Sequence, residues 1–238
     1  MYEKYLDNIL NLDDTFRFEC RQCGKCCRNI EIMLTPYDIL RLRTHFKTTT
    51  SDILKKYCKF HVGPNSKFPI ATLRFRRRRS YEVCRFQKNG KCRVYPNRPG
   101  ACRNYPLGRR IDEDGVKYFK VDAPPFCKAE DTDKEWCVKD WLKYSELSLY
   151  HEHNEPFIEI TMYLTKHQLM DYYPKNLLPQ LASMVYDIDA IDFENIAQKS
   201  RTPVATTDLE KLRVSAVIVL EILQRIRESV EGGPLVSE

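Results

Sequence analysis

Long hydrophobic runs are missing from this 238-residue chain. Its most apolar stretch, near Val214 to Leu223, falls short of the ~20 apolar residues a bilayer span needs. No membrane role is expected. Met1 to Asp7 lacks the basic start and apolar core of a secretory signal, so the cytosol is the expected address. Thiols stay reduced there, which favours metal ligation over disulfides. There is no internal repeat and no glycine-rich phosphate-binding loop. What the chain does contain is 42% hydrophobic residues, enough for a real core, and ten cysteines. Its length suits one large domain or two small ones.

Charge is unevenly spread. Residues 1–128 hold 28 Lys and Arg against 13 Asp and Glu, a net +15, whereas residues 129–238 carry −9. Thiolates around metal ions would offset part of the positive excess. The remainder would attract an anionic partner or an acidic surface.

Four cysteines fall within eight residues, Cys20-x2-Cys23-x2-Cys26-Cys27. Thiolates are soft ligands for zinc, copper(I) or iron–sulfur clusters. A C-x2-C-x2-C run can wrap three corners of a cubane, with a fourth ligand from elsewhere. Gly24 suits the tight, positive-φ turn that such a loop needs.

Residues 1–19 read as a short amphipathic or irregular lead-in, with Tyr5, Leu6, Ile9 and Leu10 at helical spacing. Ile30 and Ile32 to Leu34 suggest a short strand. Thr35-Pro36-x-Asp38 starts a helix to about Phe46 with Ile39, Leu40 and Leu42 inward, and Thr50-Ser51-Asp52 starts another ending near Cys58. Leu73 and Phe75 alternate with arginines up to Arg79, which gives a strand with a basic face. Such a face blocks edge pairing or contacts nucleic acid.

Asn89-Gly90 predicts a type I′ hairpin turn. A regular ladder would set Lys88 opposite Lys91 and Cys84 opposite Tyr95, with Cys84 and Cys92 on opposite faces. Pro96, Pro99 and Pro106 make the segment around Cys102 a loop. Cys127 follows Pro124-Pro125-Phe126 in another. Asp131 to Tyr150 reads as a helix burying Trp136, Trp141, Leu142 and Leu149. Residues 156–196 read as helices broken at Pro174 and near Pro179. His151 and His153 fit one strand face and carry no metal argument. A Thr207-Asp208-Leu209-Glu210 capping box opens an amphipathic helix to about Val230.

Cys58 and Cys137 sit in helical contexts and read as buried small residues. Eight cysteines remain: Cys20, Cys23, Cys26, Cys27, Cys84, Cys92, Cys102 and Cys127. Three arrangements compete. One is a [4Fe–4S] cluster on the compact triplet plus a distal cysteine; another is two four-thiolate zinc sites; the last is a disulfide scaffold. Arg28, Arg98 and Arg103 stand where they could donate to thiolates or offset their charge.

Phe18-x-Cys20-x2-Cys23-Gly24-x-Cys26-Cys27, Leu34-Thr35, Asp38-Ile39, Cys84-x7-Cys92-x-Val94-Tyr95, Arg98-Pro99 and Cys102-Arg103-x-Tyr105-Pro106 together resemble the YkgJ-like cysteine-cluster family. That family is described as a zinc- or iron-chelating domain. The likeness covers about residues 16–128 and implies that the eight cysteines are metal ligands. A relative with this domain type is a flagellin lysine N-methylase, which implies a protein-modifying enzyme as an alternative.

The expectation is therefore an α+β protein. Residues 1–128 form a loop-rich, metal-nucleated cysteine-cluster domain with a small β-hairpin, and residues 129–238 form an acidic, mainly helical segment. The expected function is a metal-binding protein carrying an iron–sulfur cluster or zinc in a structural or redox role. The alternatives are a lysine N-methyltransferase with a protein substrate, or a nucleic-acid-binding module using the arginine strand.

Overall fold

The computed structural model describes residues 8–112, 114–122, 127–168 and 176–231. The Tyr5-Leu6 part of the lead-in, the prolines at 124 and 125 and the break at Pro174 lie outside those residues. Helices and short antiparallel strands are mixed, as expected for α+β. The chain forms two compact units, each made of two chain segments: residues 1–34 with 72–151, and residues 35–71 with 152–238. The division therefore does not fall at 128/129. Residues 129–151 belong with the cysteine-rich segments, and the two early helices belong with the C-terminal ones.

The first unit is held by short strands that pair across long sequence distances. Thr15–Arg17 pairs antiparallel with Glu135–Cys137, setting Phe16 opposite Trp136. Ile9–Leu10 pairs with one edge of the Leu107–Asp112/Gly115–Lys120 hairpin. Two expectations are corrected here. The lead-in contributes strands at Ile9–Leu10 and Thr15–Arg17 where helical spacing or irregular chain was expected, and the Asp131–Tyr150 helix begins only at Val138, ending at Tyr144 before a second helix, Leu147–His167, takes over. Pattern alone misplaced both, because each strand gains its hydrogen bonds from a partner about a hundred residues away.

Phe16, Phe18, Leu107, Ala129, Val138, Trp141, Leu142 and Leu147 form the core of this unit. Phe18 meets Trp141 edge-on at 5.3 Å and Tyr105 at 5.4 Å. Edge-to-face pairs of this kind are worth about 0.5–1.5 kcal/mol beyond area burial. The indole N–H groups are also satisfied: Trp136 donates to the Phe18 carbonyl at 2.9 Å and Trp141 to the Asn104 carbonyl at 3.1 Å.

In the second unit the Pro36–Phe46 helix starts as the sequence demands. Thr35 caps it, accepting from the Asp38 N–H, while the Asp38 carboxylate accepts from the Thr35 N–H at 2.8 Å. Ile39, Leu40 and Leu42 are buried. The Thr50–Tyr57 helix is tied in by Asp187, which accepts from the Thr50 hydroxyl at 2.6 Å. Leu177–Tyr186, Phe193–Ser200 and Asp208–Glu231 complete the helices. Pro179 does not break its helix, since it sits in the first turn where an N–H has no partner to lose. Pro156 lies inside Leu147–His167. The buried Phe157, Ile160 and Leu164 on that helix supply packing that outweighs one missing hydrogen bond.

Candidate metal centre

The cysteine run is an irregular loop fastened at both ends. Upstream, Phe18 N–H donates to the Lys134 carbonyl at 3.1 Å and Glu19 N–H to the Ala129 carbonyl at 2.7 Å. Downstream, Arg28 bridges Val83, and Asn29 exchanges bonds with Glu82, its N–H donating to the Glu82 carbonyl at 3.1 Å and its Oδ1 accepting from the Glu82 N–H at 2.8 Å. The first set brings Cys20 toward Cys127, and the second brings Cys26 and Cys27 toward Cys84.

Gly24 makes the turn between them. Its φ of 66° is left-handed, and its carbonyl accepts from Gln87 Nε2 at 2.7 Å. A Cβ there would lie 2.3 Å from Gln87 Nε2 and 2.5 Å from the Gly90 carbonyl oxygen. The chain then closes a single 3₁₀ turn, Lys25–Cys27.

The Asn89-Gly90 turn has positive φ at both residues, 51° and 77°, as a type I′ turn requires. Lys88 faces Lys91 as expected, and Gln87 faces Cys92. The ladder does not continue to Cys84 and Tyr95. Cys84 belongs to a separate strand, Glu82–Cys84, where it pairs with Phe75. That break removes the opposite-face constraint, and both cysteines reach the same space. Cys102 rides on the short Gly100–Asn104 helix. Tyr105 Oη donates to the Cys127 sulfur at 3.9 Å.

All eight of these cysteines line one cavity of about 280 Å³. Its apolar wall includes Phe18, Tyr105 and Trp141 from the core. Among the described residues no carboxylate or imidazole lines it; the charged side chains there are Arg21, Lys25, Arg98 and Lys128. Cys20 and Cys23 are exposed and Cys84 is buried, with the others between. None of the ten cysteines forms a disulfide. Among the described residues no three Cys, His, Asp or Glu side chains already converge tightly enough to grip an ion. The thiols share a space without yet meeting in it.

Cys58 and Cys137 lie elsewhere. Cys58 is buried in the other unit, and Cys137 precedes a helix with its thiol 3.0 Å from the Asp140 carboxylate. Cys137 is therefore at a strand end rather than within a helix.

The adjacent pair titrates unequally. A hydrogen bond from the Cys27 thiol draws the Cys26 pKa below the usual thiol value, with Arg98 helping. That same bond, followed by burial, pushes Cys27 up. Burial likewise raises Cys84, to about 11, and Cys92. Burial thus opposes ionisation of these thiols, while Arg98 favours it at Cys26 and Cys92.

The three arginines part ways. Arg98 lines the cavity, stacks over Tyr95 at 4.1 Å and has a buried Nε with no hydrogen-bond partner among the described residues. Arg28 lies over Tyr81 at 4.9 Å. Arg103 is buried and spent on the scaffold: it donates to the carbonyls of Pro96, Arg98 and Ser145 and to Glu146 at 2.9 Å. Sequence reasoning passed over Gln87, which no local pattern marks, and met Tyr105 only as part of the Cys102-Arg103-x-Tyr105-Pro106 motif, without a role. It also passed over Arg21, Lys25 and Lys128, whose signal was available in the basic residues interleaved with cysteines.

His151 and His153 are on a helix, not a strand, and point apart. His151 stacks near Tyr118 at 6.4 Å and His153 on Tyr37 at 4.8 Å.

Residues 19–137 match the model of the CxxCxxCC family, described as "Putative zinc- or iron-chelating domain". No curated protein and no solved structure matches the chain significantly.

Proposed function

The chain belongs to the CxxCxxCC family, and from its cavity we propose that it binds iron or zinc through Cys20, Cys23, Cys26, Cys27, Cys84, Cys92, Cys102 and Cys127. The observation that carries this reading is that eight thiols from distant segments line one cavity whose charged neighbours, among the described residues, are all cations. Such a donor set is soft. It suits thiophilic metals and gives calcium or magnesium no oxygen ligands. Arg98, with an unpartnered buried Nε, offsets thiolate charge.

Iron–sulfur is the leading form. The compact Cys20-x2-Cys23-x2-Cys26 triplet suits three corners of a cubane, with a fourth thiolate from another cysteine of the same cavity. When bound, a cluster would supply one-electron redox chemistry, tuned by hydrogen bonds to sulfur and by solvent exposure. The residues' own part is to hold the ligands.

The test is anaerobic purification followed by analysis for iron, zinc and acid-labile sulfide, with a visible spectrum. Iron, sulfide and broad visible absorption are expected. Colourless protein carrying zinc would retain chelation and overturn the cluster. Protein with neither metal would overturn both. Cys23→Ser and Cys102→Ser should each lose metal, and full stoichiometry in both would remove these cysteines from the ligand set.

A further inference from the structure

One strongly charged feature plays no part in the metal site. Phe75–Arg77 and Glu82–Cys84 form a two-stranded antiparallel ribbon joined by a turn over 78–81. Its base is fixed, because Phe75 and Cys84 line the cavity and Val83 is buried. Its end is ordered too. Arg78 N–H donates to the Tyr81 carbonyl at 2.7 Å, and the Arg28 guanidinium covers the Tyr81 ring.

Beyond that base the ribbon is almost all arginine. Arg74, Arg76, Arg77, Arg78 and Arg79 are exposed. Arg76 is occupied with the Gln87 carbonyl at 2.8 Å. Arg74, Arg77, Arg78 and Arg79 have no ion pair among the described residues, and the acid nearest them in the ladder is Glu82, across from Arg77. Arg74 beside the ribbon and Arg77, Arg78 and Arg79 on it have one acid, Glu82, facing them in the ladder, so they repel one another and gain from an anion brought in from outside.

We propose that this ribbon binds duplex nucleic acid, entering the major groove of B-form DNA and contacting phosphates without reading sequence. Successive strand residues point to opposite faces, so arginines flank the ribbon on both sides. A flat anionic surface would meet one side only, whereas a groove meets both. Three strand residues reach about 10 Å, and the B-DNA major groove, about 12 Å wide and 8.5 Å deep, admits a two-stranded ribbon. The positive charge here is arginine without lysine, and guanidinium pairs with phosphate through two parallel bonds. The tip residues 78–80 are Arg, Arg and Ser, with no apolar side chain to insert into a bilayer.

The experiment is fluorescence anisotropy of a labelled 20-base-pair DNA duplex with full-length protein as purified, across a salt series. Competitors are single-stranded DNA of equal length, phosphatidylserine vesicles and poly-glutamate. Four phosphate contacts give a slope of log K against log salt of about −3 to −4, since each contributes roughly −0.9. Arg78→Ser/Arg79→Ser should shrink that slope by about 2 with unchanged thermal melting. Lys88→Ser/Lys91→Ser, on the neighbouring exposed turn, should leave it nearly intact. Equal loss from both pairs would assign binding to net charge and overturn the proposal. So would absent duplex binding, or equal or stronger competition by the single strand, vesicles or poly-glutamate.

Discussion

Gly24 and Gly90 adopt left-handed backbone, at φ 66° and 77°, so alanine at either meets a similar backbone penalty of about 1–2 kcal/mol. Their surroundings differ. Around Gly90 nothing lies within 4 Å of an added Cβ. At Gly24 the same atom falls 2.5 Å from the Gly90 carbonyl, which is backbone and has little freedom to retreat. It also falls 2.3 Å from Gln87 Nε2, whose hydrogen bond to Gly24 must then break. That bond contributes about 1 kcal/mol, and relieving the backbone overlap costs about 1–3 kcal/mol more. Gly24→Ala should therefore destabilise the protein by about 3–6 kcal/mol and Gly90→Ala by about 1–2 kcal/mol. At about 2–4 °C per kcal/mol for a chain of this size, the thermal midpoint should fall by roughly 6–24 °C for the first and by less than about 8 °C for the second. Metal content should drop with Gly24→Ala and hold with Gly90→Ala, measured by scanning calorimetry and elemental analysis on the same preparations. Equal midpoints for the two variants would show that the cysteine loop is not seated against the 87–90 hairpin as described.

Arg103→Met should cost about 2–4 kcal/mol in urea unfolding, because it strands three backbone carbonyls around a buried position. Glu146→Gln should cost under about 1 kcal/mol, its carboxylate being largely exposed; a large effect there would mean the ion pair, not the carbonyl cradle, is what matters. Cys58→Ala and Cys137→Ala should leave metal content unchanged in elemental analysis, and a fall in either would add a ligand to the eight. Burial, aided by the Arg109 charge, holds His151 at about 4, below its usual 6.5. The unfolded chain then binds the extra proton between those values, so this histidine's contribution is full above about 6.5 and is lost as pH falls toward 4. After allowance for partial exposure the contribution is on the order of 1 kcal/mol. His151→Gln should flatten that part of the stability–pH profile relative to the parent chain, and parallel profiles would refute the assignment.

Much of the local structure was legible because its causes are local. Thr35, Pro36 and Asp38 determine a helix start within four residues, and Asn89-Gly90 determines its turn within two. Thr207 and Glu210 do the same for the last long helix. The strands Thr15–Arg17 and Glu135–Cys137 were not legible, since each is a strand only by virtue of the other. The Leu107–Asp112/Gly115–Lys120 hairpin went unread although Asp114-Gly115 marks its turn. Pro156 and Pro179 misled for a different reason: the cost of a proline in a helix depends on its position in the turn and on the packing around it.

The sequence by itself determined the chemistry of this protein: soft thiolate donors in a C-x2-C-x2-C-C run, with Gly24 at the tight turn and basic residues between the cysteines. Residue type and spacing carry that information because ligand softness and backbone freedom belong to single residues. Only the tertiary structure decided which thiols share a space. Cys84 and Cys92 line one cavity because the hairpin ladder stops at Gln87, and Cys127 lines it too because residues 18 and 19 are bonded to residues 134 and 129. The structure also sent the guanidinium of Arg103 into the scaffold and left that of Arg98 beside the sulfurs. Those outcomes depend on hydrogen bonds between segments far apart in the chain, which no window of sequence contains.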